Sequence, residues 1–96
     1  MKSGYMYILE CADGSYYTGS TIDLKRRIQQ HQNFEGSNFT VKKWPVKLVY
    51  FEYYDSIALA FHREKQVQGW RRAKKLALIE GRLKDLPTLS NTGFDR

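Results

Sequence analysis

The stretch "YMYILECADGSYYTGSTIDLKRRIQQH", residues 5–31, carries the fold in outline. Two runs of β-forming residues, 5–11 and 15–20, flank Asp13-Gly14, and glycine supplies the positive φ that tight hairpin turns require. Ser20, Thr21 and Asp23 then offer N-cap side chains for a helix over 24–32, with Leu24 and Ile28 facing inward. The hairpin holds Tyr5, Tyr7, Tyr16 and Tyr17 directly ahead of Arg26, Arg27 and His31. Tyrosine is awkward to bury, because its hydroxyl needs a partner. Four of them beside a basic helix call for an explanation beyond core packing.

Working outward, residues 33–44 are polar, contain Gly36, Ser37 and Asn38, and read as a loop carrying Lys42 and Lys43. Beyond Pro45, residues 46–54 form a clear strand. Ser56 caps a second helix through Ile57, Ala60, Phe61 and Glu64 to about Gln68. Gly69 interrupts it, and a third helix runs from Trp70 or Arg71 to Ile79 or Glu80, where Gly81 is a natural stop. Residues 85–96 lack apolar periodicity and are expected to have little fixed structure. The order β-β-α-β-α-α predicts an α+β domain, a three-stranded antiparallel sheet flanked by helices. There are no internal repeats.

The chain has 96 residues, enough for one modest core. Its 42% hydrophobic and 27% charged residues are those of a folded protein. Sixteen Lys and Arg against ten Asp and Glu give a net charge of +6, which favours a polyanionic partner such as nucleic acid over charge serving solubility alone. Cys11 is the sole cysteine, so there is no intrachain disulfide and no thiolate zinc site. No stretch is long and apolar enough for a signal sequence or a membrane span, and a cytoplasmic location is expected.

Some polar residues stand where a core would want apolar ones. Arg27 and His31 are one turn apart on the edge shared with Leu24 and Ile28. Glu64 falls among Ile57, Ala60, Phe61, Val67 and Gln68 on its helix, and a carboxylate there requires a partner. That partner is either a basic side chain, Arg27 or a lysine, or a metal ion. Between Phe61 and Lys84 lie eight of the sixteen basic residues, and "GWRRAKK" sets Arg71, Arg72, Lys74 and Lys75 beside Trp70. This density suits phosphate contact. Trp70 is placed either against a base or between two helices.

"YMYIL" followed by "YYTGSTIDLKRR" resembles the paired signature of the GIY-YIG nuclease superfamily. Tyr17-Thr18-Gly19 stands ten residues ahead of Arg27, with His31 a turn later. "FHREKQVQGWRRAKKLALI" resembles the downstream helix pair of the small stand-alone members, including the metal-binding Glu. The likeness spans most of the chain, so residues 1–84 are taken as the nuclease-like domain. Tyr5-Met6 replaces the Gly-Ile of the first motif, and Thr18 stands where the second has Ile.

The resemblance implies a metal-dependent endonuclease acting on DNA, structured or damaged, in repair or recombination. By that analogy Glu64 holds one Mg²⁺ or Mn²⁺ ion. Tyr17 acts as general base toward water, with Tyr7 beside it, although tyrosine's ordinary pKa near 10 demands a neighbouring cation. Arg27 stabilises the phosphorane, and His31 bonds the phosphate or relays a proton. Lys42, Lys43, Arg71, Arg72, Lys74 and Lys75 hold the nucleic-acid backbone. With no recognition domain, selectivity would come from DNA shape or from a partner protein. The competing readings are a non-catalytic DNA- or RNA-binding module that keeps the fold, and an RNA-directed protein.

One geometric condition follows. A two-residue Asp13-Gly14 loop pairs residues whose numbers sum to 27 and sends Tyr7 and Tyr17 to opposite faces. A three-residue loop Asp13-Gly14-Ser15 with a bulge sums to 28 and aligns them. The bulged loop is expected.

Overall fold

The computed structural model describes residues 2–82. Its elements are β1 (Gly4–Cys11), β2 (Tyr16–Thr21), α1 (Leu24–Gln32), α2 (Asn38–Lys42), β3 (Val46–Tyr54), α3 (Ile57–Gln68) and α4 (Arg72–Ile79). The three strands form one antiparallel sheet in the order β2-β1-β3. Element type and order agree with the sequence reading, with one addition. Residues 33–44, expected as loop, contain α2, whose first turn is closed by Ser37 Oγ accepting from the Thr40 amide at 3.2 Å. The tail at 85–96 lies outside the described residues.

As the central strand, β1 is covered on both faces, which is why it reads as a nearly continuous apolar run. Met6 and Ile8 turn one way, onto Val67 of α3 and Leu78 of α4. Tyr7, Leu9 and Cys11 turn the other way, onto Val46, Leu48, Tyr17, Leu24 and Ile28. Each large apolar side chain removed from water in these two layers stabilises the fold by about 2 kcal/mol. A bulge between Ile8 and Leu9 lets Val49 and Tyr50 of β3 both join the α3–α4 layer. On α3 the buried face is Ala60, Glu64 and Val67. Phe61, expected on that face, is 51% exposed, because the sheet-facing stripe runs through the other side of the helix.

The hairpin keeps Tyr7 and Tyr17 on one face, but in a different register from the one expected. Tyr7 pairs with Gly19 and Leu9 with Tyr17, so paired numbers sum to 26. The loop residues are 12–14. Gly14 is the residue with positive φ, +84°, and its amide donates to the Cys11 carbonyl while Cys11 donates to Ser15. In a three-residue hairpin loop the left-handed position comes last, so a left-handed Gly14 moves the loop one residue toward the N-terminus. Asp13 then accepts from the Ser15 amide and hydroxyl and from Lys43, and these bonds hold its carboxyl well below the usual carboxylate range.

Candidate active site

On the α1 side of the sheet, Tyr7, Tyr17, Arg27 and His31 come together. Asp23 caps α1 by accepting from the Arg26 amide at 3.1 Å, which fixes where the helix starts and brings His31 beneath its last turn. His31 is fully buried. Its Nε2 lies 3.0 Å from the Tyr7 hydroxyl and its Nδ1 2.9 Å from Thr40 Oγ1. The Tyr17 ring sits 5.4 Å from the His31 ring and 6.4 Å from that of Tyr7. Tyr17 is half-buried, and among the described residues its hydroxyl has no hydrogen-bond partner.

Burial pushes Tyr7 up to about 12, with Arg27 working against the rise, so Tyr7 stays protonated. Burial and the neighbouring Arg27 charge push His31 down to about 4, so its imidazole is neutral. The contact with phosphate expected of His31 does not fit this environment. Both of its nitrogens are instead engaged inside the protein, because α2 folds over it. Arg27 is partly exposed and donates from Nη1 to Gln30 Oε1 at 2.9 Å.

Gly19 is required by this packing. A Cβ there would stand 2.6 Å from Cζ of Tyr7, so only glycine lets the Tyr7 ring cross β2. Thr18, on the opposite face, buries its hydroxyl without a partner among the described residues. Its branched shape fills an apolar position and its oxygen is surplus.

Glu64 approaches from the α3 side of the sheet, at the edge strand β2. It is 8% exposed. Ser20 Oγ donates to Oε1 at 2.6 Å and Gln68 Nε2 to Oε2 at 2.7 Å. Gln68 also reaches the Thr18 carbonyl at 3.2 Å, which ties the pair to the Tyr17-Thr18-Gly19 segment. Among the described residues, the basic partner expected for Glu64 is present only as Lys65, at 3.7 Å and more than half exposed. The carboxylate is therefore held by neutral donors, and each oxygen keeps acceptor capacity. Its charge still bears on Tyr7. The five site residues thus do not share one concave face: four lie over the α1 side, and Glu64 reaches the same strand from the other.

The basic residues divide. Arg71 and Lys42 are exposed. Lys43 is paired with Asp13 at 2.7 Å, and Arg72 donates to the Gly14 carbonyl at 2.6 Å while lying over the Tyr16 ring. Both brace the hairpin. Lys75 is partly buried, which lowers its pKa. Lys74 is only 7% exposed, with Nζ 4.3 Å from the Trp70 ring centre, so it does not share the outer surface expected of it. Trp70 packs in the α3–α4 layer, which decides its alternatives for the core. A recess of about 700 Å³ at the start of α1 is lined by Lys2, Tyr5, Ile22, Leu24, Lys25 and Phe51 and by none of the four cluster residues. Sequence reading missed Ser20, Gln68 and Thr40 as partners, though Gln68 stands at the i+4 position from Glu64.

The GIY-YIG catalytic domain model matches residues 3–77. The chain belongs to the GIY-YIG family. It is 43% identical over 76 residues to a UPF0213 protein of Haloquadratum walsbyi, covering 79% of this chain and 85% of that one. To a UPF0213 protein of Staphylococcus saprophyticus it is 43% identical over 79 residues, covering 82% and 96%. Among solved structures it is similar to the solution structure of a UPF0213 protein from Bacillus halodurans, with TM-score 0.53, 40% identity, and coverage of 81% and 83%. A solution structure from E. faecalis gives TM-score 0.54 at 30% identity, covering 93% and 88%. The GIY-YIG chain is thus a small nuclease-type domain whose sheet and helix placement match those of its relatives. Among the described residues, no helix is long and apolar enough to cross a membrane.

Proposed function

We infer that this GIY-YIG domain hydrolyses phosphodiester bonds in DNA with one divalent cation. The observation that carries this reading is Glu64: a nearly buried carboxylate that neutral donors hold on the Tyr17-Thr18-Gly19 strand. A salt bridge made for stability would have a close cationic partner, and this one has none closer than 3.7 Å among the described residues.

The residues present fit a Mg²⁺ or Mn²⁺ ion. No group of three or more acidic, His or Cys ligands occurs among the described residues, and Mg²⁺ is commonly bound by one or two carboxylates plus water and substrate phosphate. Glu64 would hold it. When bound, such a cation neutralises the scissile phosphate and the leaving oxygen. On the other side of β2, Tyr17 would act as general base in its phenolate form, its hydroxyl proton first lost to solvent and the proton of the attacking water then taken up. Tyr7 stays protonated and its hydroxyl is held by His31. Arg27, permanently charged and partly exposed, stabilises charge developing on the phosphate oxygens. His31 holds Tyr7 and takes no direct part at the phosphate.

Net charge +6 and the exposed Arg71 and Lys42 suit a nucleic-acid backbone. Structured or damaged DNA is the substrate proposed, with selectivity from shape or a partner protein, in repair or recombination in the cytoplasm. The test is cleavage of linear duplex, flap, splayed arm, four-way junction, single-stranded DNA and RNA with Mg²⁺, Mn²⁺ or EDTA, with Glu64→Ala and Tyr17→Phe alongside. Metal-dependent cutting that both variants lose is the expected result. No cutting, with equal and salt-sensitive binding by all three proteins, would make this a binding module. Preference for the RNA arm would overturn the DNA assignment alone.

A further inference from the structure

We propose that Thr40 is a positioning residue: its hydroxyl sets the tautomer of His31 and, through His31, fixes the Tyr7 hydroxyl beside Arg27. The proposal rests on the reading of the Tyr7–Tyr17–Arg27 cluster as the reacting site.

The direction of each hydrogen bond follows from the end of the chain of contacts. The Ser37 carbonyl can only accept, and Thr40 Oγ1 donates to it at 3.1 Å. With that proton committed, Thr40 Oγ1 accepts from His31 Nδ1–H at 2.9 Å, and the Ser37 hydroxyl, 3.3 Å away, can act on it only as a donor. Nε2 then presents a lone pair, and the Tyr7 hydroxyl donates to it at 3.0 Å. The reverse sense would leave the Ser37 carbonyl to the Val41 amide alone and set the Thr40 and Ser37 oxygens 3.1 Å apart with no proton between them. With its proton turned toward His31, Tyr7 is left as an acceptor toward Arg27.

The local backbone is shaped around this contact. Thr40 is the buried side chain of α2, so what this helix contributes to the interior is a hydroxyl aimed at an imidazole. Ser37 caps the helix and so sets the Thr40 backbone. At Gly36 any Cβ would overlap His31 Nδ1 and come within 2.8 Å of Thr40 Oγ1. Tyr7, His31 and Thr40 are each at most 1% exposed, so water does not replace a lost bond there.

The experiment compares wild type, Thr40→Val and Thr40→Ser. Ring ¹⁵N shifts and long-range ¹H–¹⁵N correlations of His31 are recorded without DNA, and kcat and KM on whichever DNA is cut. Wild type should show a protonated Nδ1 and a pyridine-type Nε2. Thr40→Val should lose that single tautomer and lower kcat by ~10-fold with KM within about 2-fold, and Thr40→Ser should restore both. A protonated Nε2 in wild type overturns the proposal. So does Thr40→Val with the wild-type ring spectrum and kcat, however far its Tm falls. If the domain cuts nothing, the spectra still decide the relay independently of hydrolysis. If Thr40→Val does not fold, wild type and Thr40→Ser decide: protonated Nδ1 in both upholds the relay, and protonated Nε2 in either overturns it.

Discussion

The two faces of the sheet differ in how their cores are tied. On the α3–α4 face Met6, Ile8, Val67 and Leu78 pack with Tyr16, Val49, Tyr50, Tyr54, Trp70 and Ile79. On the α1–α2 face the same central strand packs Tyr7, Leu9 and Cys11 with Val46, Leu24 and Ile28, and the Tyr7 hydroxyl is further tied to His31, which is tied to Thr40. Each face carries a chemically apt group at its edge: Glu64 on the first, and on the second the Tyr17 hydroxyl, unpartnered among the described residues. Both sit at β2, the edge strand. An edge strand is where groups from two faces can meet one ligand, because no further strand walls them apart. On the function proposed above, the site is assembled across the sheet's edge.

The largest expected effect comes from removing either of those two features. Glu64→Ala and Tyr17→Phe should each lower single-turnover cleavage by ~10³-fold while leaving DNA binding near wild type. A variant that binds ten-fold more weakly but cuts normally would break the division of labour.

Acid should act on the polar face first. His31 has a pKa of about 4 in the folded protein against about 6.5 unfolded, so the unfolded chain binds more protons between those values. The contribution is fully present above the unfolded value and is lost as pH falls toward 4, by about 3 kcal/mol. Glu52, whose pKa is lowered by Arg63 and two tyrosine hydroxyls against the opposing effect of burial, loses its contribution in the same direction. Urea melts of wild type and His31→Gln across pH 7 to 4 separate them: the variant should show the shallower dependence, and equal slopes would remove His31 from the account.

Gly19→Ala should destabilise by about 2 kcal/mol, because the added Cβ meets a Tyr7 ring already held by His31. Gly69, at φ −80° and with 3.6 Å between the place a Cβ would take and the nearest neighbouring atom, should accept alanine without loss. Chemical denaturation of the two variants side by side checks the contrast. The smallest effect is of opposite sign. Thr18→Val removes a buried hydroxyl with no partner among the described residues and should raise stability by about 1 kcal/mol with cleavage unchanged.

Much of the scaffold is legible in the sequence. The spans of α1 and β3 and the Ser56 cap of α3 follow from periodicity and capping residues that act locally. The shared face of Tyr7 and Tyr17 follows from loop parity, while the register depends on where Gly14 sits within the loop, which three-residue spacing alone does not fix. Helix α2 is hidden because its five residues, Asn-Phe-Thr-Val-Lys, have weak helix propensity and are held by Ser37 and by contact with His31. In the site, Glu64 stands out as a carboxylate on an apolar stripe. Its partners Ser20 and Gln68 do not, because a neutral donor carries no charge pattern to notice. Lys74 looks like its neighbours in a basic run, and its place over the Trp70 ring comes from the packing of α4, which no local pattern announces.

On the proposed function, a divalent cation binds at Glu64 on the β2 edge. Titration of Mn²⁺ into ¹⁵N-labelled protein, read as paramagnetic broadening of backbone amides, locates that cation. Selective broadening at Ser20, Glu64 and Gln68 at low Mn²⁺, abolished by Glu64→Ala and retained in Tyr17→Phe, is the expected result. Broadening centred elsewhere, or the same pattern in Glu64→Ala, would overturn a cation site at Glu64.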